Sequence, residues 1–343
     1  MGGLGKGCDV SETGGLVDTF GRVHRDLRIS LTDRCNLRCL YCMPAKGVPW
    51  IPKPELLTTD EIIVLAEMFA RLGIVEVRLT GGEPLLRPDI VDIVGRLSSI
   101  RGERGPLRVS ITTNGIGLAN LAQPLADAGL ERFNISLDTL RADRFAQLTR
   151  RDRLDDVLAG IEAARATGLV PLKINTVAMR GTNDDELIDL VRFAREHGAQ
   201  LRFIEQMPLD AGHIWSRVKM VTGAEILETL SSEFELEPCE GRGSDPAQRF
   251  VVDGSATTVG VIASVTAPFC GACDRVRLTA DGQMRNCLFA RGESDLRSLL
   301  RSGATGEEIE AMIRASVTAK KAGHGIDDPG FLQPDRPMSA IGG

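Results

Sequence analysis

The chain has no apolar run approaching the eighteen or so residues that a membrane span requires. It has no basic surplus either: 41 Lys and Arg against 47 Asp and Glu leave a formal net charge of −6. That balance argues against a general nucleic-acid or membrane-surface binder, whose affinity rests on a cationic footprint. Aromatic residues are only 4% of the chain, too few for the stacking platforms used by single-stranded nucleic acids. No Gly-x4-Gly-Lys-Ser/Thr loop occurs, so a bound nucleotide would have to be held by other means. The Gly-rich stretch Met1 to Gly15 lacks the apolar region of a secretion signal, and the expected location is the cytoplasm.

What the chain does have is grouped cysteine. Of eight cysteines, six form two tight trios, Cys35/Cys39/Cys42 and Cys270/Cys273/Cys287, while Cys8 and Cys239 stand apart and read as plain thiols. Cysteines so closely spaced cannot staple distant elements, but their sulfurs can converge on one metal centre. Structural zinc takes four ligands, whereas each trio offers three thiols, and the only histidine near the first trio, His24, lies upstream of the preceding strand. An iron–sulfur cubane normally takes four thiolates, so three imply an iron left open to something that is not protein.

With 343 residues and 43% apolar content, the chain has room for one large barrel, alone or with a smaller unit. Short strand-like runs at Leu27–Leu31, Ile74–Thr80, Leu107–Thr113, Arg132–Asp138, Val170–Val177 and Gln200–Gln206 alternate with helical periods such as Thr59–Leu72 and Asp184–His197. Gly73, Gly129, Gly168 and Gly198 sit where helices should stop. Six such units predict a parallel α/β architecture with right-handed crossovers. Buried parallel strands are normally apolar on both faces. Here one face reads Arg28/Ser30/Thr32, Glu76/Arg78/Thr80, Arg108/Ser110/Thr112/Asn114, Asn134/Ser136/Asp138 and Lys173/Asn175. So much polarity is costly to bury without partners. Pairing of Arg78 with Glu76 or Asp138 would satisfy part of it, but the four basic positions exceed the two acidic ones, which predicts a wet lumen for an anionic ligand. The expected fold is an incomplete parallel (β/α)6 TIM-like barrel, with a C-terminal α+β extension covering its open side. The expected divisions are a flexible leader over 1–20, the partial barrel over 21–207, a region bearing the second trio over 208–321, and a Gly/Pro-rich tail over 322–343.

Cys-x3-Cys-x2-Cys with Tyr41 before the last cysteine resembles the radical S-adenosylmethionine superfamily. Thr80-Gly81-Gly82-Glu83-Pro84, at the C-terminal end of the second strand, resembles the superfamily's motif for the amino group of that cofactor; its paired glycines would let a ligand reach the backbone. The resemblance implies a 4Fe-4S cluster on Cys35, Cys39 and Cys42, its open iron chelated by S-adenosylmethionine. It also aligns Tyr41, Gly82, Ser136 and Met207 with positions that contact the cofactor, although Met207 alone would more often be a core residue.

The second trio, followed by Arg275-Val276-Arg277, resembles a narrower family, the GTP 3',8-cyclases of molybdenum cofactor biosynthesis, from about Phe20 to Gly343. That resemblance implies a second 4Fe-4S cluster on Cys270, Cys273 and Cys287 that holds the guanine of GTP. Substrate positions would be Arg28, Arg78, Thr112, Lys173, Arg275, Val276 and Arg277, with Arg275 and Arg277 also assigned a catalytic part, neutralising phosphate or delivering a proton. It further implies a di-glycine tail, Gly342-Gly343, reaching the active site. An electron donor of reductase, flavodoxin or ferredoxin type would supply the cluster, and a cyclic pyranopterin synthase would receive the product. Neither a nucleic-acid nor a membrane partner is expected, and the chain would act as a monomer or homodimer. Two other readings stay open at this stage: a radical enzyme acting on a peptide or another small molecule, and a non-catalytic iron–sulfur or zinc protein.

Overall fold

Alternation of side chains along the six runs decides how they pack. Leu27, Ile29, Val77, Leu79, Val109, Ile111, Phe133, Ile135, Ile174, Leu201 and Phe203 are all buried and form one side of a continuous core, which commits their polar neighbours to the opposite side. The computed structural model describes residues 15–213 and 215–342. In it the runs become strands β1 (Asp26–Ser30), β2 (Glu76–Thr80), β3 (Arg108–Thr113), β4 (Leu130–Ser136), β5 (Lys173–Ala178) and β6 (Gln200–Glu205). These pair in parallel, in sequence order.

Helices α1 (Thr59–Arg71), α2 (Ile90–Ser99), α3 (Leu118–Asp127), α4 (Ala142–Thr149), α5 (Leu154–Ala166) and α6 (Leu187–Glu196) fall between the strands. Helix α1 opens with a capping box, Thr58 and Glu61 each satisfying the other's backbone N–H. The four stop glycines all have positive φ, +94° at Gly73, +99° at Gly129, +75° at Gly168 and +62° at Gly198, the left-handed turn that ends a helix. Helix α6 starts later than its period predicts. Asn183 and Asp184 fold back instead of entering it: Asn183 Oδ1 accepts from the Met179 N–H, its Nδ2 donates to the carbonyls of Asp138 and Val177, and Asp184 Oδ1 accepts from Gly181 N–H.

The C-terminal region does more than lie across an open side. It adds β7 (Leu236–Pro238), β8 (Gln248–Val252), β9 (Thr258–Ile262), β10 (Arg275–Leu278), β11 (Gln283–Arg285) and β12 (Ser294–Asp295) to the same sheet, in the order β7-β8-β9-β6-β5-β4-β3-β2-β1-β10-β11-β12. Strand β9 runs parallel to β6, and β10 runs parallel to β1. The strands paired directly to the two edges of the six-strand core, β9 and β10, therefore both come from residues beyond 257, and the loop between them carries Cys270 and Cys273. Helices α7 (Gly223–Ser231), α8 (Leu296–Arg301) and α9 (Gly306–Thr318) complete the region, and α10 (Met338–Ile341) interrupts the otherwise irregular tail.

The expected leader overlaps a small ribbon in which Leu16–Val17 pairs with Val23–His24 and Leu16 is buried against the core. Its residues 1–14, including Cys8, lie outside the described residues, as does Gly343. No described helix is long and apolar enough to cross a membrane.

Candidate active site

The first cysteine loop leaves the C-terminal end of β1 and is stitched to the loop after β2. Gly82 N–H donates to the Thr32 carbonyl and Glu83 N–H to the Arg34 carbonyl, each at 2.7 Å. A Cβ on Gly81 would lie 2.5 Å from the Thr32 carbonyl oxygen, and one on Gly82 would lie 2.3 Å from that of Arg34. The paired glycines are thus demanded first by contact between the two loops; both also line the cavity above. Glu83 is buried beneath them and accepts from Leu85 N–H, Asn114 N–H and the Thr113 hydroxyl. Burial without a cation beside it pushes its carboxyl up to about 7, against those hydrogen bonds.

Cys35, Cys39 and Cys42 all line this cavity. Burial raises the Cys35 thiol to about 11 and the Cys42 thiol to about 12, and it also raises Cys39 well above its ordinary value, helped by the neighbouring sulfur of Cys42. Free thiols here stay neutral; a positively charged metal centre would favour their thiolate forms. The Leu37 N–H approaches the Cys35 sulfur at 3.4 Å. Tyr41 donates to Asp138 Oδ2 at 2.7 Å, and Asp138, raised by burial to about 6, also accepts from Val177 N–H. Asp138 is thereby occupied, and does not pair with Arg78.

Strand register builds the cationic wall. Arg277, Arg28, Arg78, Ser110 and Arg132 stand opposite one another across β10, β1, β2, β3 and β4. Asn134 stands opposite Lys173, and Asn175 opposite Arg202. Glu76 partly answers this charge, taking Arg132 in a close pair and Arg78 at 3.6 Å. Asp26 is buried among Arg78, Arg28, Arg275 and Arg277, which hold its carboxyl below the usual range despite burial. Burial and neighbouring Arg78 and Arg277 push Arg28 well down; burial lowers Arg202 to about 10 despite Asp245, which it faces at 3.2 Å. The Nε atoms of Arg28 and Arg78 and the Oδ1 of Asn175 are buried and lack partners, as expected of groups arranged to meet a polar ligand.

The second trio lines an adjoining cavity. Met207, Ser264, Phe269, Arg275, Arg277 and Leu288 belong to the walls of both. Burial raises Cys270; Cys273, though buried, is held below its ordinary value by the charges of Arg275 and Lys320. His324 lies in the same wall but is not free to ligate, because Nε2 meets the Ser264 carbonyl at 2.9 Å and Nδ1 accepts from Ile326 N–H at 3.1 Å. Among the described residues no three His, Cys, Asp or Glu side chains close tightly enough round one point for a single metal ion. Three thiols without a fourth protein donor fit an open-sided cluster better than tetrahedral zinc.

The cavity brings together Arg28, Arg78, Thr112, Arg275, Arg277, Tyr41, Gly82, Ser136 and Met207. Lys173 lies outside that lining, buried at a lower level beside Asp245, Arg202 and Arg132. The Val276 side chain is fully buried in the main apolar core, since its strand alternation points it away from Arg275 and Arg277, which leaves only its backbone to meet a substrate. Arg202 joins the lining, and Asp26 and Arg132 lie among the charged groups behind it, none of the three singled out from sequence. Carrying the alternation one strand further, to Gln200/Arg202, would have found the first of them.

The tail reaches the same chamber. Arg336 grips Asp281 through two bonds of 2.9 and 2.8 Å, and Met338 N–H meets the Leu209 carbonyl. Gly342 then sits against Ser30 and Thr80 with φ +73°, where a Cβ would come within 2.3 Å of both hydroxyl oxygens, and its carbonyl accepts from Arg277.

Residues 29–194 match the family model for the radical SAM superfamily, and residues 199–326 match that for Molybdenum Cofactor Synthesis C. A protein of Streptomyces coelicolor called GTP 3',8-cyclase is 61% identical over 96% of both chains. One of the same name from a Mycobacterium species is 57% identical over 96% of this chain and 94% of its own. Mycobacterium tuberculosis has a GTP 3',8-cyclase 2 that is 53% identical over 97% of this chain and 94% of its own. Among solved structures, Streptococcus suis SuiB bound to S-adenosylmethionine resembles the chain with a TM-score of 0.54 and 14% identity, covering 86% of this chain and 69% of that one, a likeness of fold.

Proposed function

This chain belongs to the GTP 3',8-cyclase family, and from that premise we propose how its chamber performs the family's reaction. The enzyme converts GTP to (8S)-3',8-cyclo-7,8-dihydroguanosine 5'-triphosphate, the first step of molybdenum cofactor biosynthesis. It uses S-adenosylmethionine and a 4Fe-4S cluster, whose chemistry when bound is to supply a 5'-deoxyadenosyl radical that takes hydrogen from the ribose 3' carbon. Cys35, Cys39 and Cys42 would hold that cluster, with Tyr41, Gly82, Ser136 and Met207 around the cofactor. Cys270, Cys273 and Cys287 would hold a second 4Fe-4S cluster, open toward the guanine.

Arg28, Arg78, Arg275 and Arg277 would neutralise the triphosphate, Thr112 would contact the nucleotide, and Lys173 would act from below. Held at several points, the nucleotide would present its own sugar to its own base, and proximity would replace an encounter. Arg275, stacked 4.6 Å from the centre of the Phe269 ring, and Arg277 are placed to balance charge as the sugar closes on carbon 8. The domain reading follows: 21–207 for the radical half, 208–321 for the substrate half, and 322–343 as a tail. The cell's cytoplasm, an electron donor of reductase, flavodoxin or ferredoxin type, and a cyclic pyranopterin synthase as recipient complete the proposal.

One observation carries it: the two trios line adjoining cavities with a shared wall of Met207, Phe269, Arg275 and Arg277. Anaerobically reconstituted protein given S-adenosylmethionine, GTP and a strong reductant should yield 5'-deoxyadenosine together with the cyclised nucleotide. Formation of 5'-deoxyadenosine with GTP left intact would overturn the substrate assignment.

A further inference from the structure

Lys320 lies just beyond α9 and is only 4% exposed. A buried ammonium is costly unless anions or acceptors surround it. Its Nζ donates to the Arg275 carbonyl at 2.6 Å and to the Cys273 sulfur at 3.6 Å. The nearby carboxylate of Asp18 is already committed to Arg22 at 2.6 Å and His24 at 3.1 Å. Arg22 in turn donates to the carbonyls of Cys270, Lys321 and Ala322, clamping the segment that carries Lys320 to the cysteine loop. The ammonium is therefore held against one ligand of the second trio by a rigid bracket.

We infer that Lys320 is a positioning residue that offsets the thiolate charge of Cys273 and raises the reduction potential of the second cluster, while fixing the strand that presents Arg275 and Arg277. This rests on the reading that the second trio holds a 4Fe-4S cluster. One-electron reduction adds one negative charge to a centre already carrying three thiolates, and a fixed positive charge beside it favours the reduced form. The bond to the Arg275 carbonyl couples that charge to the substrate wall, since Arg275 and Arg277 share the strand.

The test is a redox titration followed by electron paramagnetic resonance in the C39S background, which removes a ligand of the first cluster. Lys320→Met is expected to lower the reduced-to-oxidised ratio at a fixed potential about tenfold, equivalent to about 59 mV for one electron. Lys320→Arg should restore most of the shift. A K320M protein that keeps its iron and titrates at the unsubstituted potential would overturn the inference. Should K320M lose its iron, protein with Lys320 intact and labelled with 15N-lysine decides. A lysine nitrogen coupling to the reduced cluster, abolished in K320R, is expected; its absence overturns the proposal. If the C39S protein itself contains no acid-labile sulfide, the second-cluster reading fails, a result distinct from failure of the Lys320 role.

Discussion

The guanidinium of Arg277 donates to the carbonyl of Gly342, tying the C-terminal tail to strand β10 inside the chamber. Tail and substrate wall are therefore one construction, braced lower down by Arg336 on Asp281 and Glu293. A change at the tail should reach the reaction without disturbing the fold.

Gly342→Ala tests this directly. The new methyl would meet the hydroxyls of Ser30 and Thr80 and strain a backbone at φ +73°. Displacing the tail should cut formation of the cyclised nucleotide on the order of 10²-fold, with iron content and thermal midpoint near those of the unsubstituted protein. Full turnover by G342A would show that the tail's position is irrelevant.

If Lys173 meets the triphosphate as proposed, GTP binding should depend on pH. Burial, followed by the charges of Arg202, Arg132 and Arg78 and opposed by Asp245, lowers its ammonium to about 7. A nearby triphosphate would raise that value again. Below pH 7 the lysine is already charged and affinity is level; above it, binding takes up a proton, and affinity falls by up to about tenfold per pH unit. Calorimetry in buffers of different ionisation enthalpy should register this uptake near pH 8, and Lys173→Met should abolish it.

Val276 separates core from site. Its side chain belongs to the apolar core, so Val276→Ala should cost about 2 kcal/mol of stability through the cavity it leaves. GTP affinity should stay within about twofold, because the flanking arginines keep their strand positions. Equilibrium titration and a melting curve on one preparation distinguish this from a substrate contact, which would weaken binding while sparing the melt.

Arg22→Ala should loosen the second cysteine loop. It strips donors from the carbonyls of Cys270, Lys321 and Ala322 and leaves Asp18 without its guanidinium partner, at about 3 kcal/mol for a broken buried pair. Iron analysis should find the second centre depleted before the first. Equal retention of both would indicate that the bracket is dispensable.

Much of this was visible in the chain because two strong patterns coincided. Period-two polarity along β1 to β5 pointed to a polar lumen, and the trio spacings pointed to metal ligation. Hidden features share a different cause: they depend on partners far away in sequence. Arg22 meets Lys321 and Ala322, and Lys320 meets Cys273, and no local spacing encodes such pairings. Strand β10 escaped notice as a strand because Arg275-Val276-Arg277 is too charged to read as buried. Its arginines are buried all the same, facing a chamber that composition alone does not reveal. Asp184, where the helical period begins, misled for a local reason, spending its side chain on a turn rather than on the start of α6.

The placement of β10 beside β1 also bears on the order of events during synthesis. The outer edge of the first barrel strand stays bare until residues 275–278 leave the ribosome, and unpaired edges invite wrong partners. The wall that carries Arg277 beside Arg28 can therefore be completed only once residues 275–278 have been made.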